Sequence, residues 1–136
     1  MAKNKNSSSQ KPIHNYLDLF YMTPNAITAK DIVLLFQGLK GIQTELWEEL
    51  NILELVLPHG NSVDFEPLEV SFQDPSDAAF VKNRGVKNIF AINLSAEDLP
   101  IVIPFFEKLV EAYSGFVCAD SADFTPVYAG TSKLVQ

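Results

Sequence analysis

The side chains that could do chemistry unaided are few here, and their spacing matches no common catalytic pattern. There are two histidines, His14 and His59, and one cysteine, Cys118. A zinc site draws three or four His, Cys, Asp or Glu ligands together, yet neither an HxxxH nor a CxxC spacing occurs. Both histidines are expected at the surface, His14 at the boundary of a tail and His59 in a turn. Cys118 would need a neighbouring base to act as a nucleophile. Free cysteine is among the most buried residue types, so core packing is the expectation for it.

Asp120 and Asp123 carry part of a calcium loop, which needs further acids at alternate positions, a glycine at the bend and a closing Glu. Turn chemistry, with Asp accepting local backbone N–H bonds, is the simpler role. No GxxxxGK[ST], GxGxxG or GxSxG segment is present, so phosphate cradles and the hydrolase elbow have no support. Lys82, Arg84 and Lys87 cluster around a glycine, too few to mark a nucleic-acid surface. These features predict no catalytic residue, no metal, no cofactor and no nucleic-acid partner.

The acids depart from an ordinary balance. Residues 41–81 hold nine of them and no Lys or Arg, while the rest of the chain holds eight acids and all ten cations. The net charge of −7 therefore arises in one segment. Like charges on neighbouring strands repel. Such a segment either guards an edge strand against aggregation or offers a negative surface to a cationic partner.

On the second reading the expected partner-binding residues are Trp47, Glu48, Glu49, Glu54, Asp64, Phe65, Glu66 and Glu69, with an exposed Trp47 or Phe65 as the aromatic anchor. The expected function is a non-catalytic interaction module that binds a basic protein surface, in the style of a small acidic inhibitor or immunity protein. The alternative is a small enzyme or ligand-binding domain built from scattered carboxylates such as Asp18, Asp64, Glu66 and Asp120. A carboxylate pair ~5–10 Å apart can do acid–base work on a sugar.

These residues must be positioned by a fold, and 136 residues with 47% hydrophobic content suit one domain. Residues 1–12 are polar and are expected to form a disordered tail, with a single domain over 13–136. No run approaches the ~18 apolar residues of a membrane span. The N-terminal lysines are followed by no apolar stretch, and the lone cysteine has no partner for a disulfide. A cytoplasmic protein without a membrane partner is expected.

Tyr16 to Met22 reads as a buried strand. Thr28 with Asp31 forms a capping box before Ile32, Leu35, Phe36 and Leu39 at helical spacing. The same grammar returns in a strand over 88–94, a box from Ser95 and Asp98, and a helical face of Val102, Phe106, Leu109 and Tyr113. Pro104 falls inside that second helix, and a kink or a first turn that breaks away is expected near residue 100.

Between the two units, residues 46–57 read as one strand in preference to a helix. Pro58-His59-Gly60-Asn61 makes a turn, and 62–70 is the returning strand, which Pro67 assigns to an edge or a bulge. Asp74-Pro75 opens a short helix, and 116–128 reads as a terminal hairpin. The predicted fold class is α+β: a mostly antiparallel sheet, split β-α-β-like, with two main helices on one face, a short extra helix and a C-terminal hairpin.

Overall fold

The computed structural model describes residues 15–132; residues 1–12 and His14 lie outside the described residues. The dense apolar stretch at the start forms β1 (Tyr16–Thr23), whose side chains alternate between two separate cores. Helix α1 (Ala29–Phe36) follows, and its capping box is complete: Thr28 accepts from the Asp31 N–H, and Asp31 accepts from the Thr28 N–H.

Next come β2 (Gln43–Trp47), β3 (Ile52–Val56) and β4 (Ser62–Leu68), a meander of three strands. Helix α2 (Pro75–Asn83) is capped by Asp74, which accepts from the N–H groups of Ser76 and Asp77. Then β5 (Asn88–Ser95), α3 (Leu99–Tyr113), β6 (Phe116–Ala119) and β7 (Val127–Gly130) complete the order.

All seven strands join one antiparallel sheet in the order β2-β3-β4-β5-β1-β6-β7. Because β5 and β6 both run antiparallel to β1 between them, β5-α3-β6 is a split β-α-β unit, as expected. Helices α1 and α3 pack on one face over Tyr21, Phe65, Phe90, Phe106 and their neighbours. On the other face α2 and the loops beside it cover only the β1/β5/β6 end, over Phe20, Met22, Phe116, Cys118 and Phe124. Four phenylalanines (Phe20, Phe72, Phe80 and Phe124) meet there at centroid distances of 4.4–6.3 Å.

Three expectations need correction. Residues 46–57 form neither one strand nor a helix: a 3-10 turn over Glu48–Leu50, closed by Asn51 at φ 57°, splits them into β2 and β3. Asn is one of the few residues that tolerates that left-handed conformation. The second capping box is absent, because the Ser95 side chain makes no cap bond and a 3-10 turn over Ala96–Asp98 precedes α3. Asp98 instead binds His59 and Asn61, so tertiary contact has claimed the acid that the box required. The entry to α3 is the first turn that breaks away, while Pro104 sits within the helix. Third, β4 lies inside the sheet, so Pro67 does not mark an edge. It is placed beyond Phe65, the last β4 residue paired with β3 in register, and opposite Phe90 of β5.

Candidate functional site

Two-residue alternation decides which side chains of the meander face outward. Leu53 and Leu55 of β3, Val63 and Phe65 of β4, and Ile92 of β5 point into the α1/α3 core. Their neighbours Glu54, Asp64, Glu66 and Asn93 must therefore point to the opposite face, which α2 leaves uncovered at this end. The strand registers then place Glu45 opposite Glu54 and Glu54 opposite Asp64, and carry the row through the amide of Asn93, which stands opposite Asp64 on one side and Asp18 on the other. Asp120 extends the row, since its N–H donates to the Asp18 carbonyl at 3.0 Å. At about 4.8 Å per strand, Glu45 to Asp18 spans roughly 20 Å.

Three adjoining recesses follow this row, and Asp64 lines all of them. The largest, of about 510 Å³, holds Asp18, Asp64, Glu66 and Asp120 with Phe20 and Leu68 along one side. A polar recess of about 420 Å³ lies toward Tyr16, Asn61 and Ser95. The third, of about 270 Å³, is walled by Trp47, Leu50 and Ile52 on one side and Glu54, Asp64 and Glu66 on the other. Asn93 donates to Asp18 at 2.9 Å. Among the described residues no Lys, Arg or His forms an ion pair with any carboxylate of the row.

The crowding has an electrostatic signature. Partial burial, followed by the neighbouring carboxyls of Asp64 and Glu45, holds the Glu54 carboxyl above the usual range. Partial burial, then Asp18 and Asp77, does the same to Asp120. The Asp64 Oδ1 atom is buried with no hydrogen-bond donor. Two facing carboxylates have none to offer, and a proton on Glu54 would supply one.

A carboxyl raised on folding binds more protons in the folded than in the unfolded chain between its two titration points. Stability is therefore lost as pH rises through that window. Glu54→Gln is expected to raise the melting temperature at pH 7, and the gain should fade near about pH 3.5, where a glutamate is protonated in either state. Thermal melts at both pH values check this; equal melting at pH 7 would mean that the row is not crowded.

Of the residues predicted from sequence to bind a partner, Trp47, Glu54, Asp64 and Glu66 converge on this face. Phe65 does not: it is fully buried in the α1/α3 core, because alternation turns it away from Asp64 and Glu66. Glu48 and Glu49 are exposed in the 3-10 turn, where Glu48 pairs with Lys30 at 3.7 Å. Glu69 is exposed beyond the end of β4. Asp18 and Asp120, named only among scattered carboxylates, belong to the row and Glu45 extends it. Their convergence depends on β1 lying between β5 and β6; the split β-α-β expectation implies such an insertion but not which acids it brings together.

Cys118 is buried and its thiol is pushed up to about 12, chiefly by burial. Asp123 forms local turn bonds with Ser121 and Thr125. Among the described residues no three His, Cys, Asp or Glu side chains are grouped to hold a metal ion, and no helix is long and apolar enough to cross a membrane. Comparison of the chain with protein-family models, with curated proteins and with solved structures finds no match.

Proposed function

We propose that this protein is a non-catalytic interaction module that binds a basic surface of another protein through the uncovered acidic face. The observation that carries the reading is the placement of Glu54, Asp64 and Glu66 on β3 and β4. Glu54 and Asp64 are paired to a neighbouring strand on both sides, so edge protection gives no account of them. Crowded, unpaired carboxylates across the middle of a sheet oppose folding, and a complementary cationic surface is what would offset them. A row of roughly 20 Å with Trp47 and Leu50 exposed at one end suits a protein surface, where affinity concentrates at a few aromatic anchors.

A second reading, a site for a small ligand or a sugar, is favoured by the meeting of Asp18, Asp64, Glu66 and Asp120 in one groove. Partial burial, then Asp18 and Asp77, hold the Asp120 carboxyl above the usual range, the direction a general acid needs. It ranks second because the groove runs on into two further recesses along an open face, and a site that expels water is closed.

The binding reading is tested by reversing three exposed acids on three strands, Asp18→Lys, Glu45→Lys and Glu66→Lys, against a control reversing Glu97, Glu107 and Glu111. With a partner recovered from native extract, the first triple should slow association at least about tenfold, as when steering is reversed. The wild-type rate should also fall as salt rises, because the Debye length is about 8–10 Å near physiological salt. Equal rates for the two triples, with both folded, would sink the proposal.

A further inference from the structure

The recess beside Trp47 differs from the rest of the face in having an apolar half. Trp47 ends β2 at 44% exposure, and Leu50 stands 62% exposed in the 3-10 turn that follows. With Ile52, which pairs with Trp47 in register, they wall one side of a space of about 270 Å³. Glu54, Asp64 and Glu66 form the other side. A large aromatic exposed beside acids costs solubility and adds nothing to the core, which is the composition of a binding anchor. Within the recess the Asp64 Oδ1 atom is buried without a donor as long as the facing Glu54 is ionised. Buried acceptors are nearly always satisfied, and an exception calls for a specific cause.

We infer that this recess seats one arginine side chain of the basic partner, its stem and guanidinium face lying along Trp47, Leu50 and Ile52 and its N–H fork bonding Glu54 and Asp64. The inference rests on the interaction reading above and names the group that the acidic face receives at this end. Arginine fits better than lysine on two counts. Its planar fork can bond two carboxylates at once, whereas an ammonium acts as a point charge. Its flat, weakly hydrated face stacks on an indole.

Glu54 faces Glu45 from β2 and Asp64 from β4, with Glu66 in the same recess and no Lys, Arg or His among the residues that line it; Lys30 reaches only Glu48 in the adjoining turn. The raised Glu54 carboxyl retains a proton where an ordinary glutamate has lost it. The incoming cation displaces that proton to solvent, so binding should strengthen as pH rises through the Glu54 titration.

The test uses the full chain and a defined probe, N-acetyl-arginine methylamide, followed by NMR titration. Trp47 is the sole tryptophan, so its indole N–H resonance reports on the recess. A saturable shift of that resonance is expected, with weaker binding of N-acetyl-lysine methylamide. Glu54→Gln should weaken the arginine probe about tenfold, as loss of a charge-assisted pair does. Trp47→Leu should weaken it about two- to fivefold, the value of an exposed cation–π contact. Glu107→Gln, which removes the same charge from the opposite face, should leave it unchanged. The two-dimensional amide spectrum of each variant establishes that it is folded.

Equal binding of the arginine and lysine probes, or no saturable indole shift, would overturn the arginine seat while leaving the salt-dependent steering of the whole face to stand. Equal weakening by Glu54→Gln and Glu107→Gln would overturn it as well, by reducing the effect to net charge. Equal association rates for the two triple reversals would overturn the interaction reading instead.

Discussion

Phe65→Ala is expected to destabilise the protein by about 3–5 kcal/mol, the range for deleting a buried phenylalanine and leaving a cavity. Phe65 has no exposed surface and stands on β4 between Leu53 of β3 and Ile92 of β5, all three facing the α1/α3 core. Trp47→Ala should cost less than about 1 kcal/mol, since a half-exposed residue at the end of an edge strand is loosely packed. Partner binding should respond in the opposite sense, weakened by Trp47→Ala and kept with the milder truncation Phe65→Leu. Urea melts of the two alanine variants make the comparison. If Phe65→Ala melts like the wild type, the register of β4 is off by one residue. Asp64 and Glu66 would then face the core, and the acidic face would not exist.

The contrast between these two aromatics shows what could be read from residues alone. Trp47 and Phe65 both lie within the acidic segment, and both were candidate anchors. Their fates are set by strand parity, and that of Trp47 depends on where β2 ends and β3 begins. That break is made by a 3-10 turn and one left-handed asparagine, Asn51. Its signature, Glu-Glu-Leu-Asn between two apolar runs, is weak beside the Gly and Pro that mark the turn at 58–61. Reading 46–57 as continuous therefore removed one strand from the meander without disturbing the fold class.

Features whose causes are local were legible. The Thr28–Asp31 box, the Asp74 cap, the turn at 58–61 and both strand–helix units arise from contacts within a few residues. The row of acids was legible as composition but not as geometry. Asp18 and Asp120 reach Asp64 only because β1 enters the middle of the sheet, which brings together residues 46 to 102 positions apart.

Asp98 is the clearest case in which distance in sequence hid a role, and its removal should have the other large effect. It is 2% exposed at the start of α3, where its carboxylate also lies favourably toward the helix N-terminus. Its Oδ1 is 2.9 Å from His59 Nε2, and its Oδ2 accepts from Asn61 Nδ2 at 2.9 Å. Both partners belong to the β3–β4 turn, which is closed by Leu57 N–H to Asn61 and Gly60 N–H to Leu57. Asp98 thus ties that turn to the entry of α3, and with it Gly60 and Asn61 along the polar recess of the acidic face.

Asp98→Ala is expected to cost about 2–3 kcal/mol, since two bonds to a charged group are lost and water replaces only part of them. Asp98→Asn should cost less, because an amide can still accept from Asn61 and donate to a neutral His59. His59→Ala should cost less again: that side chain is 43% exposed, so water reaches Asp98 once it is gone. Urea melts rank the three variants, and hydrogen exchange at the Leu57 and Gly60 amides reports the turn itself. Exchange there should quicken most in Asp98→Ala, ahead of any change in α1 or α3. A wild-type melt for Asp98→Ala, or loosening spread evenly through the chain, would mean that the carboxylate does not hold the turn.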